Sequence, residues 1–158
     1  MTERIQVDAG SIVVPISVRD KDNPAQRHDV DLIMDISDKA LIEAKQQAKE
    51  TKLKLNDLLA EYKDIMSDDF ELNNDNLARA VEAVTSILRT RFDADYGDGE
   101  YDRIASIGGG NSFINMFDLY DQANDFVGKI IDQKMDRMNK KSKNKLQKYL
   151  AKIKKNKK

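Results

Sequence analysis

The stretch "SIVVPISV", residues 11–18, decides the fold class of this chain. Ile12, Val14, Ile16 and Val18 fall on alternate positions, the period of a strand with one buried face. Pro15 removes a ladder donor, which places the strand at a sheet edge or at a bulge. Upstream, "IQV" repeats the alternation at Ile5 and Val7, and Asp8, Ala9 and Gly10 between the two runs form a turn. Downstream, "RDKDNPAQR" is a loop by composition. "HDVDLIMDIS" then returns to alternation, with Val30, Leu32, Met34 and Ile36 on one face and Asp29, Asp31 and Asp35 on the other. The expectation is a small antiparallel sheet of two to three strands over residues 4–36, with one apolar face that other elements must cover.

Those elements are helical. Ser37 is an N-cap with Asp38 in the first turn, and Leu41, Ala44, Ala48, Leu55, Leu59, Tyr62 and Met66 recur at helical spacing. "SDDFELNND" breaks that pattern. A second helix starts near Asn74 or Asp75 and turns Leu77, Val81, Val84, Ile87, Leu88 and Phe92 toward a core. Tyr101, Ile104 and Ile107 mark a short third helix that stops at Gly108, Gly109 and Gly110. Asn111 or Ser112 caps a fourth, whose stripe runs through Phe113, Met116, Phe117, Tyr120, Ala123, Val127, Ile130, Ile131, Met135 and Met138. The fold class is α+β: a small N-terminal sheet followed by a body of about four helices over residues 38–137.

The chain has 158 residues, which bounds it to one domain and a tail. Its net charge of −1 hides a division. Residues 138–158 hold ten Lys and no acidic residue, leaving 17 basic against 28 acidic residues in 1–137, a balance of −11. An acidic domain, 1–137, therefore carries a basic tail, 138–158. Within the tail, Leu146, Tyr149, Leu150 and Ile153 follow i, i+3, i+4, i+7, an apolar strip on a cationic helix. With one aromatic residue there, nucleic acid would be held through its phosphates rather than by base stacking.

Chemical motifs are few. The chain has no Cys, so disulfides, thiolate metal sites and thiol catalysis are excluded together. The lone His28 lies in a polar loop between Arg27 and Asp29, with no nucleophile near it in sequence. "DADYGDGEYDRI", residues 93–104, invites comparison with a calcium loop, and Asp93 and Asp95 occupy its first and third positions. Gly97 then stands at the fifth position, Asp98 at the sixth and Ile104 at the twelfth, which breaks the ligand set. Gly97 or Gly99 instead supplies a positive φ at a helix end. Gly108 to Gly110 precede a helix but lack the Lys and Ser/Thr of a phosphate loop, so they form a connector. No catalytic residue, metal site or cofactor is expected. No run approaches a membrane span and the start is not a signal peptide, so a soluble, intracellular protein is expected.

The order of elements, with the run Tyr96, Gly97, Asp98, Gly99, Glu100 and Tyr101 leading to Arg103-Ile104 and a closing helix of the "FINMFDLYDQANDFV" kind, resembles the tail assembly chaperones of long-tailed, siphovirus-type bacteriophages. The resemblance covers most of residues 1–135, and its specific part is the glycine turn with Ile104. It implies a non-enzymatic role in the host cytoplasm, absent from the mature virion: binding and solubilising the tape measure protein, promoting tail-tube assembly, and contacting the major tail protein. It also implies a longer frameshifted product, for which the codons of Lys154-Lys155 and Lys157-Lys158 would be a slippery run.

Met116, Phe117, Tyr120 and Val127 are expected in the core. Met135, Met138, Leu146, Tyr149, Leu150 and Ile153 are the expected partner-binding residues, for a client or for a homo-oligomer. The alternative function is a nucleic-acid-binding or virion-associated accessory protein acting through the Lys tail.

Overall fold

The computed structural model describes residues 10–108, 112–137 and 143–155. Two strands, β1 (Ser11–Arg19) and β2 (Arg27–Asp35), form an antiparallel hairpin. Five helices follow among the described residues: α1 (Asp38–Glu61), α2 (Leu77–Tyr96), α3 (Glu100–Ile107), α4 (Phe113–Arg137) and α5 (Lys143–Lys155). The protein is thus α+β, with four helices over the expected body and a fifth in the basic tail. The expected strand at Ile5 and Val7 lies outside the described residues, as do Asn111 and Met138.

The hairpin is in continuous register from Ser11 opposite Asp35 to Arg19 opposite Arg27, with no bulge at Pro15. Backbone bonds from Asp20 N–H to Gln26 and from Ile36 N–H to Gly10 flank the register. Hydrogen-bonded pairs therefore fall on even positions of β1, and Pro15, opposite Asp31, is in a non-bonded pair. Its missing N–H faces the outer edge, where no ladder bond is lost. Ile12, Val14, Val18 and Leu32 are buried on one face, whereas Val13 and Ile33 are exposed on the other.

The loop between the strands is tied by Asp20. Its carboxylate accepts the N–H groups of Asp22 and Asn23 at 2.9 and 2.8 Å and lies 2.8 Å from His28 Nε2. These bonds, His28 first, hold the Asp20 carboxyl below the usual carboxylate range. His28 is therefore a β2 residue paired across the hairpin, and not the solvated loop residue expected from its polar neighbours.

The structure forms two compact units, Met1–Asp121 and Gln122–Lys158. In the first, α2 packs on β2, and α3 on both β1 and α2. Phe92 is fully buried and meets Tyr96, Tyr101 and Tyr120 at ring-centroid distances of 5.2, 5.7 and 5.9 Å. Leu88, Ile104 and Met116 are buried as well. Tyr120 is half-buried, and its hydroxyl donates to Asp95 at 2.5 Å. A smaller cluster of Tyr62, Ile65 and Ala83, with Leu58, Phe70 and Ala80 against it, joins the end of α1 to the start of α2. In the second unit Ala123 and Val127 are the buried apolar positions among the described residues.

Two core expectations fail. Phe117 is 58% exposed, although it lies on the apolar stripe of α4. The stripe is wider than the face that packs, and Met116, one residue earlier, takes the buried position. More consequentially, α1 has no fully buried residue in its 24 residues; Leu58 is partly buried against the smaller cluster, and Tyr62, the C-cap, is buried in it.

Candidate interaction surface

The glycine turn is built from α2 outward. Gly97 and Gly99 have φ of +118° and +82°, conformations that L side chains rarely adopt. They reverse the chain with three residues, 97–99, between the end of α2 and the start of α3. The amides exposed at the start of α3 are met by Asp93, one helical turn before the end of α2. Its carboxylate accepts Gly99 N–H at 3.2 Å and Tyr101 N–H at 2.9 Å, while its carbonyl accepts Gly97 N–H at 2.8 Å.

Of the motif residues, Tyr96, Tyr101 and Ile104 are buried, and Gly97, Asp98 and Gly99 are exposed. Burial pushes the Tyr101 hydroxyl above its ordinary value, and does so more strongly for Tyr96, where the Asp95 charge adds to it. Glu100 is half-buried and holds Arg103 through both carboxylate oxygens, and Arg103 also donates to the Asp31 carbonyl at 2.8 Å. Asp31 sits in a non-bonded pair of the hairpin, so that carbonyl points outward and is available. The turn therefore fastens α3 to α2 and to β2. Asp93 spends its oxygens on backbone amides, and Asp95 on Tyr120. Among the described residues no three His, Cys, Asp or Glu gather to hold a metal ion.

The apolar residues left uncovered lie elsewhere, first on α1. Its start is set by the hairpin: Ser37 Oγ accepts Ala40 N–H at 3.3 Å, and Asp35 accepts Ser37 N–H at 2.9 Å. Its far end is clamped by Arg79. That guanidinium donates to both Asp64 oxygens at 3.0 Å and to the Glu61 carbonyl at 2.9 Å, and stacks 4.9 Å above the Tyr62 ring. The Asp64 carboxyl is held below its usual range by this bond. Tyr62 donates to Glu82 at 2.9 Å, fixing α1 to α2 a second time.

Between these ends every residue from 41 to 50 is exposed. Leu41 is 64% exposed, Ile42 80% and Leu53 64%. A polar cleft lined by Glu50, Thr51 and Lys54 of α1 and by Arg89, Asp93 and Asp98 separates the middle of α1 from the end of α2. The helix is thus fixed at both ends and offers apolar side chains along its length. Sequence periodicity placed Leu41 on the packing stripe with Ala44, Ala48, Leu55 and Leu59, and did not single out Ile42 or Leu53. The signal against that assignment is the alternation of Lys45, Lys49, Lys52 and Lys54 with the apolar positions.

The second uncovered set is on α5. Leu146, Tyr149, Leu150 and Ile153 are all exposed, with Lys145, Lys148, Lys152, Lys154 and Lys155 around them. Met135, near the end of α4, is exposed too. The structure thus leaves these five expected partner-binding residues at the surface; the sixth, Met138, lies outside the described residues. No helix among the described residues is long and apolar enough to cross a membrane.

No protein-family model, no curated protein and no solved structure matches this chain.

Proposed function

We propose that this protein is a non-enzymatic assembly chaperone of the phage-tail kind, which binds the helical tape measure protein and keeps it soluble while tail-tube subunits assemble around it. The observation that carries the proposal is α1: a 24-residue helix, clamped at both ends, with no fully buried residue and with Leu41, Ile42 and Leu53 in solvent. A fixed amphipathic helix with a bare apolar edge is a docking element for another amphipathic helix. An unassembled tape measure protein would present long apolar stripes of this kind, which aggregate unless covered. The acidic balance of residues 1–137 would keep a coated filament soluble by mutual repulsion. The work is done in the host cytoplasm, and the protein leaves before the virion matures.

The test is co-expression with overlapping fragments of a tape measure protein from the same genome. Soluble complexes with several copies of this chain per fragment, stable at high salt, are expected, because apolar contacts are little screened.

One observation favours the second function, nucleic-acid binding: Lys145, Lys148, Lys152, Lys154 and Lys155 are exposed on a single helix with no acidic residue among them. Salt separates the two. Phosphate binding weakens steeply with ionic strength and would be lost on deleting residues 138–158.

A further inference from the structure

Within the unit Gln122–Lys158 two uncovered faces carry complementary chemistry. The first is on α4, where Asp125, Gly128, Asp132 and Asp136 succeed one another at spacings of three and four and so line one face, which also carries Lys129 and keeps a net negative charge from its three carboxylates. Ile131 and Met135, both exposed, border it. Glycine inside a helix is disfavoured relative to alanine. A Cβ built on Gly128 meets nothing within 4 Å, so packing within the chain gives no reason for its absence. A second helix seated on this face would give one, because a missing side chain lets two backbones approach closely.

The second face is the strip Leu146, Tyr149, Leu150 and Ile153 on α5, flanked by Lys145 and Lys152. Those two lysines are seven residues apart, as are Asp125 and Asp132, so two turns of one helix match two turns of the other. The lengths agree as well: α5 runs about 20 Å, and residues 122–137 about 24 Å.

We propose that α5 of one copy lies on the Asp125–Gly128–Asp132 face of α4 in a second copy, the two copies exchanging the contact reciprocally. The occupant is a second copy because each chain carries both halves, opposite in charge, and its own α5 leaves the apolar strip uncovered. A two-fold arrangement satisfies both pairs at once and closes the assembly. Apolar contacts at the centre supply adhesion, and the Lys–Asp rows at the rim set register. This pairing stands independently of which client α1 takes.

The experiment is sedimentation equilibrium of the nuclease-treated full chain over a range of concentrations. A monomer–dimer equilibrium is expected, abolished by Leu146→Glu/Leu150→Glu and by Gly128→Trp with the helical circular dichroism retained. Lys145→Glu/Lys152→Glu should weaken the dimer by about tenfold, and adding Asp125→Lys/Asp132→Lys should restore it. That rescue cannot arise from misfolding. A chain that stays monomeric throughout, whether α5 is free or folded back on its own α4, overturns the proposal. So does a dimer indifferent to the α5 and Gly128 substitutions, or a charge reversal that is not rescued.

Discussion

The Asp93 carboxylate accepts the Tyr101 N–H at 2.9 Å, so the residue that caps α3 belongs to the helix before it, eight positions upstream. The same carboxylate holds Gly99 N–H. Loss of a capping side chain costs about 1 kcal/mol and up to about 2. Asp93→Ala should therefore lower unfolding stability by about 1–2 kcal/mol. Asp93→Asn, which keeps one acceptor oxygen, should lose less. Urea titration followed by circular dichroism checks both.

Gly99 and Gly108 are required for different reasons, and substitution separates them. Gly99 has φ of +82° with nothing within 4 Å, so its constraint is backbone conformation alone. Gly99→Ala should cost about 1 kcal/mol, and Gly99→Asn less, because Asn tolerates the left-handed region. At Gly108 the constraint is space: a Cβ there would overlap the Arg19 carbonyl oxygen, where Lys21 N–H donates to the Ile107 carbonyl at 3.0 Å. Gly108→Ala and Gly108→Asn should both be destabilising, by about 1–3 kcal/mol, since the hairpin must move away from α3. The same urea titration distinguishes the two patterns.

The buried tyrosines make the fold sensitive to alkali. Tyr96 and Tyr101 have hydroxyls raised above the ordinary value of 10.0, chiefly by burial. Above pH 10 the unfolded chain loses these protons while the folded chain keeps them. Stability is therefore full below about pH 10 and falls as pH rises, by up to about 1.4 kcal/mol per pH unit for each fully retained proton. Urea midpoints should hold between pH 7 and 9 and drop between 10 and 11.5. Tyr96→Phe should flatten that drop while leaving the neutral-pH fold in place.

The hairpin and the helices were legible in the sequence because their signals are local. Alternation at Ile12 to Val18 and the break around Pro24 define the strands, and Ser37, Ser112 and the glycines punctuate the helices. The start of α2 is local too: Asn73 Oδ1 accepts the Asp75 and Asn76 amides at 2.9 and 3.0 Å, close to the expected boundary at Asn74 or Asp75. The coverage of each apolar stripe was not legible. Period 3.6 identifies an apolar edge on α1 and on α4, yet whether Leu41 or Phe117 is buried depends on which elements the tertiary fold brings opposite. The buried roles of Tyr96 and Tyr101 were hidden for the same reason: they gather on Phe92 only once the glycine turn has reversed the chain. His28 finds Asp20 across a loop whose composition gives no sign of the pairing.

Exposed side chains on α1 can be changed with little effect on the fold. Leu41→Asp, Ile42→Asp and Leu53→Asp should each alter stability by no more than about 0.5 kcal/mol, since none is buried. Thermal unfolding of the triple variant, matching the parent protein within a few degrees, checks this and prepares the decisive comparison.

That comparison is the mass and soluble yield, by light scattering, of tape measure fragments co-expressed with the parent chain and with the triple α1 variant. The parent should keep fragments soluble as complexes of several copies, persistent in high salt, and the folded triple variant should leave them insoluble. Fragments that stay insoluble or unbound with the parent chain, or that are held equally well without the α1 apolar residues, would contradict α1 as the client-binding helix.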